Sequence, residues 1–588
     1  MIKTLYEIGK VLKEHEDYAD YFEPWARPFK GAAAGNAKVI VFHVSGGMLQ
    51  GEATIEDYSA GLIDKYLYLR APAMSTNVVP TFLFLPKNKP DELKKEIEKR
   101  VQKKMKASFK NYKHTFLHSD EIAKIEAYFL NANLDTKLQY LFTFKIDGLY
   151  LGEIPELRTL FIENAYGKFY QASSAKDYVC ALTGEKAKMI YGRVSTLGFA
   201  VTDPSFSRSG FDTKDSYKMF PVSEEACKIL EGMNRLAEEF FAFSFHGYKY
   251  YVLPHFIQVP DESKEDIIRQ LLKFPNTPNN DVQIKGIISN EQITNEIAEN
   301  DNFSKSQVYF DVFFYKRNSN QYLILSHISD VAPSRFSRIK KSMDVLSAWY
   351  KPITYHQSKD GKESTFYPNL YSLARWFSHK IKNNTETVFH PIFFQVVNGI
   401  FHGTILNEKN ILDEYLNIIR PYFKDKDSDW YFQAAVKESF VTHMFLQSLN
   451  LFTNKQYTQN MNEKPDLTMD GFIAQHAHFF DSEYKKGVFM LGALSQILMQ
   501  KQYQKLKSDP FRKNLNGLNI DEGVVKDIFP KLINKMREYE LAVPDTESAI
   551  AQALVHKANI GRSEISYLFT LGMIMQREFS KQYQNKQQ

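Results

Sequence analysis

Apolar and polar positions alternate in two different styles along this chain, and the change falls near residue 366. Before it, short β-branched and apolar runs are interleaved with helical stripes; after it, apolar residues recur only at spacings of three and four. Leu5, Ile8 and Leu12 form the first stripe, a short amphipathic helix. Residues 38–44 then read as a strand closed by the turn Ser45-Gly46-Gly47, and 65–70, 79–85 and 138–146 continue the strand-like pattern. Pro90 opens a helix whose Leu93, Ile97, Val101 and Met105 share one face. Lys94, Lys95, Lys99, Arg100, Lys103, Lys104, Lys106 and Lys110 cover the rest, which fits either a solvated face or a phosphate-facing ridge.

The segment 178–260 departs from both styles. Its middle, the long loop 195–221, has Gly198, Pro204, Gly210 and Pro221 as punctuation and no apolar period. Loops of that length are uncommon unless they bind something or are disordered, and Phe199, Phe206, Phe211, Tyr217 and Phe220 are too aromatic for a solvated linker. Ser223 then caps a helix carrying Ala226, Ile229, Leu230, Met233, Leu236, Ala237 and Phe240. His246-Gly247 turns into a strand at 248–253, Ser263 starts a helix with Ile267, Ile268, Leu271 and Leu272, and Val308, Phe310, Val312 and Phe314 alternate as a half-buried strand. Asn318-Ser319-Asn320 turns that strand into 322–328.

Beyond 366 no strand is expected. Helices are expected at 370–381, 388–400, 411–422, 431–451, 472–480, 487–506, 523–539 and 563–579, and the polar stretch 453–468 reads as a linker. The fold class is therefore α+β: a mixed N-terminal region with antiparallel strands over 1–365, a helical connecting region over 366–468 and an all-helical C-terminal bundle over 469–588.

Composition adds bounds. At 588 residues the chain exceeds one ordinary core, and 44% hydrophobic with 24% charged residues is a globular balance. No apolar run is long enough to cross a bilayer and the first residues lack a signal-peptide core, so a cytoplasmic protein without membrane partners is expected. Two cysteines, Cys180 and Cys227, suit a reducing compartment. They could join His246 and His255 in a two-thiolate, two-imidazole zinc site, or be buried apolar side chains. No Walker loop, adjacent His-Asp pair or H-E-x-x-H occurs, so no catalytic residue, metal or cofactor is expected. His476 and His478 with Asp481 and Glu483 resemble metal ligands, but on a helix the two imidazoles would point about 200° apart. Asp425 to Asp429 starts like a calcium loop, yet Trp430 stands where the glycine should be.

Nucleic-acid chemistry is better represented. Arg335, Arg338, Lys340 and Lys341 surround Phe336 in PSRFSRIKK, combining phosphate-binding cations with a stacking ring. The long loop contributes Arg208, Lys214 and Lys218, with Arg193 just before it, and the tail contributes Lys505, Arg512 and Lys513 around Pro510 and Phe511.

The cysteine segment, aromatic loop, capped helix and FSFHGYKYYVLP strand, with KYLYLRAPAMSTNVVPT before them and VAPSRFSRIKK and a helical tail after, resemble the large subunit of the type I-B CRISPR Cascade complex. The resemblance spans most of the chain. It implies a non-catalytic subunit that binds guide RNA and target DNA within a multi-subunit ribonucleoprotein, beside Cascade backbone and small subunits. In that family the N-terminal region inspects the protospacer-adjacent motif, the helical tail supports the displaced strand of the R-loop, and a helicase-nuclease is recruited in trans. The tail resembles the Cascade small subunit, so a fragment starting near Met461 or Met469 is expected to fold alone. The alternatives are a protein scaffold without DNA readout and a metal-dependent enzyme built on His476.

Overall fold

A computed structural model describes residues 2–23, 36–68, 80–110, 112, 117–192, 213–245, 248–257, 259–272, 308–318, 321–357, 363–380, 387–452, 465–541, 543–556 and 559–585. The chain divides into two units, one of Met1–Ala242, Tyr251–Asn276 and Tyr315–Ile324, the other of Phe243–Tyr250, Thr277–Phe314 and Leu325–Gln588. Strands and helices in the first half and helices dominating the second make the α+β fold expected from the pattern. No helix among the described residues is long and apolar enough to cross a membrane.

In the first unit, β1 (Ala37–Ser45) lies in a sheet ordered β2 (Met48–Leu49), β1, β5 (Gln139–Ile146), β4 (Phe82–Phe84); β3 (Thr54–Asp57) pairs with β1 and β6 (Leu149–Tyr150) with β5. β1 and β5 run parallel, from Ala37 opposite Gln139 to Val44 opposite Ile146, and a parallel pair needs a long crossover. That crossover holds the lysine-rich helix and the helix Glu121–Asn131. Phe42, Phe129 and Phe142 meet edge to face on one side of the sheet, where Phe84 stacks on Phe129 with ring centroids 4.1 Å apart. Val39, Val41, Leu141, Tyr66 and Tyr150 fill the other face. The lysine-rich helix runs as Pro90–Ile97, a π-type stretch Glu98–Met105 and Lys106–Phe109, and it buries Ile97, Val101 and Met105 as their spacing implies.

Residues 65–66 do not begin a strand. They close the helical turn Ile63–Tyr66, which ends at Leu67 in the left-handed region, and 69–79 lie outside the described residues. A long-range approach holds the turn: a Cβ on Gly152 would stand 2.0 Å from the Asp64 carbonyl oxygen, and Lys65 pairs with Glu153 at 2.7 Å.

β7 (Ser174–Val179), β8 (Lys186–Tyr191) and β9 (Val222–Ser223) form a second, antiparallel sheet. Ser223 caps the helix Glu224–Leu236 as expected, its hydroxyl accepting the Ala226 N–H at 3.4 Å. Against this helix packs Ile2–Lys13, with Leu5, Ile8 and Leu12 buried. A further helix, Asp261–Leu272, starts directly after Pro260, so Ser263 lies inside it instead of capping it.

β10 (Ala242–Phe245), β11 (Tyr248–Phe256), β12 (Val308–Asn318) and β13 (Gln321–Val331) pair in that order. The alternation at 308–314 implies one covered face. Asp311 and Phe313 are buried as well, so both faces are covered.

The second unit has two short hairpins, one just before residue 366 and one inside the expected run of helices. His356–Gln357 pairs with Glu363–Ser364, and Ser378–Lys380 pairs with Thr387–Phe389. The helix expected at 370–381 therefore stops at Trp376, and the next is Pro391–His402, where proline takes the first helical position. Strands of two or three residues are too short to carry a detectable period. A helix at Pro544–Val555 was not foreseen because only Ile550 and Ala553 are buried on it.

Glu483–Leu506 and Arg562–Asn585 form the axis of this unit. They cross at two glycines: a Cβ on Gly492 would stand 2.0 Å from the Phe569 carbonyl oxygen, and one on Gly572 2.0 Å from that of Phe489. The last helix also packs, less extensively, on two helices outside 469–588, Glu408–Lys424 and Asp429–Ser448. The Tyr567 hydroxyl lies 3.0 Å from Ser439 Oγ, Lys437 pairs with Glu578 at 2.5 Å, and Arg577 grips Asp429 through two bonds of 2.7 and 3.0 Å. These contacts weigh against the expectation that 469–588 closes its own core, since Tyr567 is buried in part by side chains that such a fragment lacks.

Two outcomes follow from this packing. Gly492→Ala raises intrinsic helix propensity yet should lower the unfolding free energy by about 1–3 kcal/mol, read from denaturant titration, because the methyl meets backbone. A fragment 469–588 should show no cooperative thermal transition by circular dichroism; a sharp one would restore the autonomous bundle.

Candidate nucleic-acid interface

PSRFSRIKK folds as the start of the helix Pro333–Trp349, with Phe336, Ile339, Met343, Leu346 and Trp349 buried at helical spacing. Phe336 packs between Phe310 and Phe401, each with its ring centroid 5.5 Å away, so it is a core residue and not a stacking platform for a base. Arg335 Nε donates to the Ile400 carbonyl at 2.6 Å and Nη2 to that of Gly399 at 3.2 Å, meeting the C-terminal carbonyls of the helix Pro391–His402. Burial, with Arg338 beside it, pulls its pKa down to about 10, and the group stays charged at neutral pH. Arg338 reaches the Ser448 carbonyl at 3.4 Å, at the end of the helix Asp429–Ser448, and Lys340 pairs with Asp344 at 2.7 Å. Lys341 is exposed. The motif that reads as a phosphate patch is thus largely spent on helix ends and internal pairs.

In the long loop, Arg193 and Arg208 lie outside the described residues. The loop ends in the 3-10 turn Thr213–Lys218. There the exposed Lys218 pairs with Asp215 at 3.1 Å and lies 5.9 Å from the Tyr217 ring centroid, while the Lys214 carbonyl accepts from Ser173 Oγ at 2.8 Å.

The cysteines meet at the start of the helix Glu224–Leu236. Cys180 Sγ accepts the Ser223 N–H at 3.3 Å and the Cys227 thiol faces the Val222 carbonyl. Burial pushes the Cys227 thiol up; it would raise Cys180 too, but backbone N–H groups of Ser223, Thr183 and Leu182 outweigh it and lower that thiol. Among the described residues no third histidine, cysteine or carboxylate joins them at metal-ligand reach, and His246 lies outside those residues.

His476 is not a metal ligand in waiting. It follows the helix Met469–Gln475, is wholly buried, and holds Tyr350 OH at 2.7 Å through Nε2 and the Phe472 carbonyl at 2.7 Å through Nδ1. Desolvation pulls its pKa down to about 3, so it is a neutral core histidine that donates from Nδ1 and accepts the tyrosine proton.

The connecting helices do present a surface suited to a strand. Between the helices Glu408–Lys424 and Asp429–Ser448, Asp425 caps the short turn Lys426–Ser428. This turn sets three aromatic side chains in a step: Tyr422 stacks on Tyr431 with centroids 5.8 Å apart and planes at 21°, and Trp430 meets Tyr431 edge-on at 4.8 Å. Trp430 is 49% exposed and Tyr431 51%, while their neighbour Phe432 is buried. Arg577 secures the helix start through Asp429; burial would raise that carboxyl's pKa, and the guanidinium outweighs it and holds it low. Beside the step runs the turn Pro510–Leu518. Arg512 is locked into it, bonded to the Phe423 carbonyl and to Asp509 and lying 4.1 Å over the Phe423 ring. Lys424 and Lys513 are exposed here, and Lys505 sits 5.4 Å from the Tyr539 ring centroid. Exposed rings with cations around them match what single strands require, stacking faces and phosphate partners.

The aromatic step was missed in the sequence, although a signal existed. Trp430 and Tyr431 fall off the apolar stripe that Phe432, Ala435, Val436 and Phe440 define, and two large rings off the stripe in a first turn have no core to enter.

Family models for CRISPR-associated protein TM1802 match the chain three times: its N-terminal domain at 1–163, its central domain at 177–331 and its C-terminal domain at 368–587. An α+β chain covered almost end to end in this way is a CRISPR-associated protein, with a role in CRISPR defence. It belongs to the CRISPR-associated protein TM1802 family. No curated protein matches the chain.

Arg335→Ala should lower stability by about 2 kcal/mol, the worth of charged hydrogen bonds to two helix-end carbonyls, and leave the salt dependence of nucleic-acid binding unchanged. Denaturant titration beside binding isotherms at several salt concentrations separates this from a phosphate contact, whose loss would flatten the slope.

Proposed function

We propose that this CRISPR-associated chain is the non-catalytic large subunit of an RNA-guided DNA surveillance complex of the type I-B Cascade kind. It works in the cytoplasm, recognises the protospacer-adjacent motif, stabilises the R-loop and hands the target to a helicase-nuclease recruited in trans. The observation that carries the reading is the exposed step Tyr422, Tyr431 and Trp430 with Lys424 and Lys513 beside it, on a chain whose family ties it to CRISPR defence. Guide pairing supplies sequence recognition in such a complex, so the protein's task is to hold displaced bases and backbone without any reacting group. Three exposed or half-exposed rings offer sequence-tolerant stacking, and the lysines answer the phosphates.

A scaffold reading, in which the subunit contacts mostly protein, draws on the internal use of Arg335, Arg338 and Arg512. The two readings part on one experiment. Trp430→Ala with Tyr431→Ala should weaken displaced-strand binding by the assembled complex at least about tenfold, at about 1–3 kcal/mol per lost stack, with an unchanged salt slope. The wild-type chain, tagged, should bring down a uniform RNA with repeat-derived ends and a multi-copy backbone protein. Full affinity in the double variant would favour the scaffold, and purification without RNA would remove the surveillance role.

A further inference from the structure

One feature of the C-terminal bundle has no part in the aromatic step. A groove of about 360 Å³ lies between the end of the helix Glu483–Leu506, the turn Pro510–Leu518 and the helix Glu522–Glu538. Its volume is within the range of small-ligand sites. Gln502, Asn514, Asn534, Lys531 and Lys535 supply its polar lining, Pro510 and Phe511 its apolar part, and Glu538 its one carboxylate. Lys535 pairs with Glu538 at 2.6 Å and Lys531 lies 4.0 Å from Asp527, both pairs at the solvent surface, where such pairing is weak and can yield to a ligand anion.

The hydrogen-bonding capacity left over is on the donor side. Gln502 is wholly buried; its Oε1 accepts the Phe511 N–H at 3.0 Å, and its Nε2 has no acceptor among the described residues. An amide N–H left so is costly, by about 1–3 kcal/mol, unless a partner arrives. Lys531 and Lys535 stand one helical turn apart, where both ammonium groups can meet one anion. Lys505, one turn beyond Gln502, lies 5.4 Å from the Tyr539 ring centroid. Donors and cations over an apolar patch call for a ligand that is rich in acceptor oxygens, negatively charged and partly apolar.

We propose that this groove is a nucleotide-phosphate site. Lys531 and Lys535 hold the phosphate oxygens, Gln502 Nε2 donates to an acceptor that reaches the groove floor, and Phe511 with Pro510 lies against the sugar or base. The proposal rests on the nucleic-acid reading above and adds a separate place for one nucleotide unit. The same chemistry is offered by a phosphodiester within a strand and by a free nucleotide.

The test uses the full-length chain, a fluorescein-labelled twelve-residue oligo-dT and, separately, dTMP. Lys531→Ala with Lys535→Ala changes surface positions of one helix, and circular dichroism checks that the fold is kept. If the groove holds a strand phosphate, the oligonucleotide affinity should fall about tenfold and the log–log salt slope by about 0.7 for each lysine, while millimolar dTMP does not compete. If it holds a free nucleotide, dTMP should bind the wild-type chain and not the variant. Oligonucleotide binding equal in wild type and variant, with no dTMP binding, would overturn the groove and leave the aromatic step standing. A wild-type chain that binds neither probe would overturn both. Asn534→Asp, which keeps size and adds a negative charge, should reproduce the loss, and its failure to do so would place the two lysines' effect outside the groove.

Discussion

The second unit hangs on the crossing of two long helices at Gly492 and Gly572. Each glycine brings its helix within reach of a carbonyl oxygen on the other, with 2.0 Å left where a side chain would begin. So close an approach leaves no room between the two backbones, and the flanking residues must interdigitate around it. Val488, Leu491, Leu494 and Leu498 on one helix and Leu568, Leu571 and Ile574 on the other are buried for that reason. The last helix, fixed by this crossing, then presents Tyr567, Arg577 and Glu578 to the helices Glu408–Lys424 and Asp429–Ser448. The Asp429–Arg577 pair sets the start of the second of these, and with it the placement of Trp430 and Tyr431. A surface property of the connecting helices therefore descends from a contact at the centre of the C-terminal bundle.

Arginine shows how one residue type serves two masters. Its planar fork suits phosphate and equally suits the free carbonyls at a helix end. In PSRFSRIKK and in the Pro510–Leu518 turn the fork goes to carbonyls of Ile400, Gly399, Ser448 and Phe423. Lysine, whose compact charge and long stem favour solvent, stays outside at Lys341, Lys424, Lys505 and Lys513. At these two places the exposed cations are mostly lysines, and the arginines help build the surface that displays them.

The period of apolar residues determined much of the fold by itself. Helices at Ile2–Lys13, Pro90–Ile97, Glu224–Leu236, Glu408–Lys424, Glu483–Leu506 and Glu522–Glu538 stand where their stripes imply, and β1 and β5 where β-branched and aromatic runs imply. Elements of this kind are long enough to repeat their period several times. The ordered motifs that link the chain to CRISPR defence were legible in the same way, because they are local in sequence. Tertiary structure alone decided the rest: that β1 pairs in parallel with β5, that His356–Gln357 and Ser378–Lys380 become hairpins, that Phe336 is core while Trp430 is surface, and that Gln502 ends beside two lysines from another helix. Each of these depends on which residues distant in the chain come together, and an apolar ring or a cation carries no mark of whether a neighbour from elsewhere will cover it.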